Sequence, residues 1–187
     1  MSELSATAGA PAGHADVPVR QGPVLIAYDG GPASERALRE AAALLAGPGR
    51  SALVVVVIKP ELAFDLIVLP ASRLNLPPAP IDIRTALEVE QEMYDHAQAA
   101  AQRAAGVLGS LGLEAEGVVV SEDPEITVAE TVVRVARERD AQVVVVGAHL
   151  HGGRLGGTSR AVVKEAPCPA LVVRAAADEK HRQGADR

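Results

Sequence analysis

The chain has 187 residues, 48% of them hydrophobic and 22% charged, which is material for one core and not for two full domains. A net charge of -6, with one Phe, two Tyr and no Trp, argues against a nucleic-acid partner, which would need a cationic face and rings to stack on bases. The single cysteine, Cys168, excludes an intrachain disulfide and cannot build a structural zinc site alone, so a reducing, cytoplasmic setting is expected.

Residues 1–21 are rich in Ala, Gly, Ser and Pro, and residues 176–187 are small or charged. Both read as flexible tails around one domain at 22–175. No apolar run approaches the ~20 residues that span a bilayer, and 1–21 lacks the basic start and apolar centre of a signal peptide. No membrane association is expected.

The first strand is expected at 23–29, ending on the polar Asp29, with Gly30-Gly31-Pro32 making the turn into a helix that runs to about Leu45. Ala37, Leu38, Ala41, Leu44 and Leu45 recur there at helical spacing, and Gly47-Pro48-Gly49 stops the helix. A valine-rich second strand follows at 51–58. Residues 59–84 hold Pro60, Pro70, Pro77, Pro78 and Pro80, which forbid a long helix or a central strand. This connection is either a lid over a site or a segment whose Phe64, Leu66, Ile67, Val68 and Leu69 pack on the core or a partner, and base rates favour packing.

Residues 85–111 form the clearest helix, with Leu87, Tyr94, Ala97, Ala101, Ala104, Leu108 and Leu111 in one stripe and Gly112 as its stop. A third strand is expected at 114–120 and a helix at 124–140 with Ser121 and Asp123 as its caps. The fourth strand, 142–147, is apolar on both sides, as a central strand of a parallel sheet must be. A glycine-laden loop, a short helix at 158–165 and a fifth strand at 169–174 complete the chain. Five strands alternating with four helices predict a doubly wound α/β domain: a single five-stranded parallel sheet with helices on both faces.

The glycine loop is where chemistry is expected, because glycines let the backbone approach a phosphate and such loops follow the carboxyl ends of strands. Gly152, Gly153, Gly156, Gly157 and Thr158 offer an anion-tolerant backbone at a helix start, with Arg154 and Arg160 adding positive charge. A P-loop is discounted, since Thr158 stands where that motif needs lysine. His149 and His151 lack a third ligand nearby, so no metal site is expected. Cys168, between Pro167 and Pro169, reads as a buried neutral thiol, and Glu88, Glu90 and Glu92 as the wet face of a helix. No nucleophile stands beside a base, and no catalytic residue is assigned.

Taken in order, 24–30 with its Ala- and Leu-rich helix, Asp123-Pro124-Glu125-Ile126, 143–147, the glycine loop and 166–173 resemble the universal stress protein family over most of 23–174. The resemblance implies an adenine-nucleotide α-hydrolase-like sheet, commonly dimeric, in a non-catalytic stress-response or regulatory protein. Some members bind ATP through a loop of pattern G-x2-G-x9-G-[ST], and others lack the pattern and hold no nucleotide. Counting from Gly147 puts Leu150 and Arg160 at the later glycine positions. Reading back from Pro167 instead places Gly156 or Gly157 with Thr158 at the loop's end, which leaves the loop about four residues short and redirects its amides.

By that resemblance Asp29 corresponds to an aspartate near the adenosine, Val57 to a residue at the adenine, and Gly147 to the first loop glycine. Gly156, Gly157 and Thr158 complete the nucleotide site it implies. ATP is the ligand to expect if one binds, and no obligatory cofactor is assigned. Asp29 reads equally well as a cap on the first helix. A homodimer is expected through the fifth strand, where Leu171, Val172 and Val173 would lie at a sheet edge. The leading function is therefore a regulatory homodimer with a degenerate loop. Its alternative is an ATP-binding switch, and an ATP-hydrolysing enzyme rests on fold analogy alone.

Overall fold

The computed structural model describes residues 22–59, 83–123, 125–148, 150–151 and 154–174. The expectations for both tails and for 60–82 lie outside these residues. Strands β1 (Val24–Ala27), β2 (Ser51–Ile58), β3 (Glu114–Ser121), β4 (Val143–Ala148) and β7 (Ala170–Arg174) form one sheet in the order β3-β2-β1-β4-β7. Every adjacent pair is parallel. The four helices are α1 (Pro32–Leu45), α2 (Ile83–Ser110), α3 (Val128–Glu138) and α4 (Gly157–Glu165).

Successive residues of each central strand serve opposite cores. Val24, Ile26, Val54 and Val145 pack with Ala37, Leu38 and Ala41 of α1 and with Ala104 and Leu108 of α2. Leu25, Leu53, Val55, Val144 and Val146 pack with Ala129, Val132 and Ala136 of α3 and with Val162 of α4. A strand covered on both faces has no solvent side to alternate with, which is why 143–146 is valine throughout. Each aliphatic chain fully buried this way stabilises the domain by roughly 1.5–3 kcal/mol.

On the α1/α2 side the helices lie hard against the sheet. A Cβ on Gly117 of β3 would sit 2.5 Å from the carbonyl carbon and oxygen of Ala101 in α2. Alanines at 97, 101, 104 and 105, all buried, are the α2 counterpart of that close approach. The helix ends as the sequence predicts: Gly112 takes φ +85°, and the Leu113 amide donates to the Leu108 carbonyl at 3.0 Å.

Two local expectations are corrected. Helix α3 begins at Val128, not at 124, because Thr127 and Glu130 form a reciprocal capping box. The Glu130 amide donates to Thr127 Oγ1 at 3.3 Å, and the Thr127 amide donates to Glu130 Oε2 at 2.7 Å. Those contacts hold the Glu130 carboxyl below its ordinary pKa. Asp123 instead shapes the turn before the helix, accepting from the Glu125 amide at 3.1 Å. Within the expected glycine loop, β5 (Leu150–His151) and β6 (Arg154–Leu155) pair as a small antiparallel hairpin.

Candidate functional site

Because the strands of the main sheet are parallel, their carboxyl ends share one edge, and the strand order reverses between β1 and β4. Ligands of open α/β sheets sit at such a switch point. A cavity of about 350 Å³ opens there. Its walls are apolar, formed by Ala27, Val55, Val57, Val128, Val132 and Val146, and its rim carries Asp29, Gly147, Gly156, Gly157, Thr158 and Ser159. The structure thus brings together on one cavity the six residues that the resemblance assigns to a nucleotide site: Asp29, Val57, Gly147, Gly156, Gly157 and Thr158; Arg160, expected to add positive charge, is not among its lining residues.

Asp29 stands one residue past Tyr28, at the tip of β1. Its Oδ1 accepts from the Gly31 amide at 2.8 Å and from the Ser34 hydroxyl at 2.6 Å. Gly31 is the N-cap of α1 and receives no side-chain cap bond, so Asp29 braces the turn rather than capping the helix amides. Gly30 takes φ +76°, a conformation in which a Cβ is strained.

Gly147 has a structural reason to be glycine. A Cβ there would lie 2.5 Å from the carbonyl carbon of Ala33 and 2.6 Å from the Ser34 nitrogen, so the start of α1 rests directly on the end of β4. The Gly147 carbonyl accepts from the hydroxyl of Ser159 at 3.0 Å. That buried hydroxyl pins the start of α4 beside the tip of β4. Helix α4 is capped by Gly156 with no side-chain bond, and its first backbone bond runs from the Arg160 amide to the Gly156 carbonyl at 3.1 Å. The amides of Gly157, Thr158 and Ser159 precede that bond and have no acceptor within the helix, which gives the rim the partial positive charge of a helix N-terminus.

Tyr28 also lines the cavity, and its hydroxyl donates to Glu35 on α1. Burial, then the hydrogen bond to Glu35 and its negative charge, push the phenol up to about 12. It stays neutral at physiological pH. Two residues past Val57, Lys59 Nζ lies 2.7 Å from Glu122 Oε2, a charge contact without hydrogen-bond alignment. Glu122 is buried, with its other oxygen unpartnered. On sequence alone Glu122 has no assigned role.

Sequence reasoning missed the roles of Ser34 and Ser159. Ser34 falls in the first turn of α1, where a hydroxyl can reach back to the preceding loop. That spacing was a usable signal. Ser159 gave none, because its partner carbonyl lies across the hairpin. Cys168 is half-buried against the α3/α4 core. Among the described residues no group of His, Cys, Asp and Glu is placed to hold a metal ion, and no helix is long and apolar enough to cross a membrane.

A doubly wound parallel α/β domain with an apolar cleft at its switch point and a helix N-terminus on the rim has its candidate site where open α/β sheets hold their ligands. Residues 22–174 match the model of the universal stress protein family, and the chain belongs to that family. No curated protein matches it. Among solved structures it is similar to a universal stress protein of Lactobacillus plantarum, at 17% identity and a TM-score of 0.60, covering 83% of this chain and 99% of that one. It is also similar to a family protein of Arabidopsis thaliana with AMP bound, at 16% identity and a TM-score of 0.53, covering 84% and 94%. A third, a universal stress protein in complex with cAMP, shares 18% identity at a TM-score of 0.53, covering 83% and 98%. At such identities the likeness is one of fold.

Proposed function

We propose that this universal stress protein is a non-catalytic regulator, working as a homodimer, whose conformation or stability responds to an adenine nucleotide held at the β1/β4 switch point. The observation that carries the reading is the shared cavity: Asp29, Val57, Gly147, Gly156, Gly157 and Thr158 all line it. The apolar walls suit a base, the open amides of α4 suit a phosphate, and Asp29 suits a ribose. Relatives crystallised with AMP and with cAMP support the same ligand class. The cavity favours the nucleotide-binding alternative alongside the regulatory homodimer with a degenerate loop that leads on sequence alone.

The regulatory part of the reading rests on what the site hydroxyls do. Ser34 and Ser159 both donate to groups of the scaffold, a bracing role rather than attack on a substrate. For the dimer, β7 lies at the edge of the sheet, where a second copy's β7 could complete its outer row of backbone bonds. Val173 is buried within the subunit and Leu171 and Val172 are half-buried, so main-chain pairing would supply most of that contact.

Native mass spectrometry of gently purified protein tests both parts in one spectrum. The expected result is twice the subunit mass with AMP or ATP added or retained. A ligand at a hundredfold excess over its dissociation constant should raise stability by about 2.7 kcal/mol. No mass adduct and no thermal shift with millimolar AMP, cAMP or ATP and magnesium would refute the nucleotide reading, and a concentration-independent monomer would refute the dimer.

A further inference from the structure

The end of β2 overhangs its neighbour. Strand β1 pairs with β2 as far as Ala27 and Val55, and the Tyr28 amide adds a last bond to the Val55 carbonyl at 2.9 Å. Val56, Val57 and Ile58 run on past that point, and among the described residues their strand partner is β3 alone, through Val119, Val120 and Ser121. Val57, within this overhang, forms part of the apolar wall of the cavity. The ladder to β3 continues one bond further, from the Glu122 amide to the Ile58 carbonyl at 2.8 Å. Side chains then close it, with Lys59 Nζ 2.7 Å from Glu122 Oε2. Alternation along the two strands places this pair on the face that Val57 and Val120 share. The Glu122 side chain is 3% exposed, and no hydrogen bond reaches either of its oxygens. A carboxylate withdrawn from water in this way draws a cation to one place, which a pair exposed on both sides does not do. Lys59, although 47% exposed along its side chain, is therefore tied at its charged end.

We infer that Lys59 and Glu122 are positioning residues for the base wall: their contact fastens the overhanging tip of β2 to β3, and so fixes where Val57 stands relative to the other apolar walls, Val128 and Val132 of α3. This rests on the nucleotide reading above and adds what sets the width of the slot that takes the base. A flat ring gains from an apolar wall through close contact, and a gap of about 0.5–1 Å forfeits a quarter to a half of that attraction. A wall carried on a strand end with one neighbour needs such a fastening, because a binding site is held to tolerance by the contacts behind it.

Isothermal titration of the full chain with AMP, set beside urea unfolding of the same proteins, tests it. Lys59→Met should weaken AMP binding by about tenfold, the size of a misfitted apolar contact in a binding pocket. Lys59→Met with Glu122→Met strands no charge, so it should regain most of the stability yet stay weak for AMP, because two flexible thioethers set no fixed distance. Val57→Ala should weaken AMP by a similar factor, and Lys59→Met added to it should change affinity by less than about twofold, since the wall it positions is then gone. An AMP affinity that recovers along with stability in the doubly substituted protein overturns the inference, because the pair then acts through folding alone. So do losses that add up in the Val57→Ala background, and so does an unchanged affinity in Lys59→Met, although the nucleotide reading then stands. A wild type that does not bind AMP removes that reading and this inference together. If Lys59→Met fails to fold, the protein carrying Lys59→Met and Glu122→Met decides the matter.

Discussion

The two rims of the cavity are built on opposite principles. On the β1/α1 rim the side chains near the turn engage their neighbours: Asp29 with Gly31 and Ser34, and Tyr28 with Glu35. On the β4/α4 rim the helix begins on an uncapped Gly156, and space is open around Gly157, where a Cβ would meet nothing within 4 Å. Helix α3, by contrast, closes its own N-terminus with Thr127 and Glu130. A rim that satisfies itself sets geometry, and a rim that leaves amides unspent leaves them for something else to satisfy.

Substituting one glycine on each side of that divide sharpens the contrast most. Gly147→Ala should destabilise the domain by about 3 kcal/mol, since the new methyl meets the α1 backbone rather than a side chain that can swing away. Urea unfolding would measure it, and a loss below about 1 kcal/mol would mean that α1 does not rest on β4 as described. Lys59→Met should come next, at about 2 kcal/mol, because it strands the buried Glu122. That figure is discounted from that of a fully buried pair because Lys59 is 47% exposed. Adding Glu122→Met should recover most of the loss.

Thr127→Ala should remove about 1 kcal/mol by opening the α3 N-terminus. The fourth expectation reverses the first: Gly157→Ala should leave folding stability within about 0.5 kcal/mol of the wild type, while weakening AMP binding in the same titration. Equal losses at Gly147 and Gly157 would dissolve the contrast between the rims. The smallest effect belongs to Tyr28. Its phenol is raised from 10.0 to about 12, so the stability it contributes is complete below pH 10 and is lost as pH rises through about 12. Tyr28→Phe should flatten that alkaline decline in thermal melts.

Much of the fold was legible because it is written in one-dimensional pattern. Valine runs announced strands buried on both faces, and the alanine stripe at 97, 101 and 104 announced the helix that closes on β3. The start of α3 was misplaced because Pro124 and the caps before it make a persuasive helix start, although the Thr127 to Glu130 spacing carries a stronger signal. The hairpin of β5 and β6 is too short for any periodicity to betray. At the site, Asp29, Val57 and the loop glycines were read through resemblance. The reason for Gly147 was hidden, because it depends on Ala33 and Ser34, which the chain brings near only after β1 and β4 have paired. Local spacing carries the turn at Asp29, whereas tertiary approach carries the glycine opposite it.

The pairing of β5 and β6 concerns only each other, since the main sheet includes neither. Residues can therefore be gained or dropped at this point without shifting the register of β4 or dislodging Ser159 from Gly147. The domain thus has an insertion-and-deletion site beside its crevice. Divergence in length there would reshape the rim beside α4 while leaving the framework beneath it untouched.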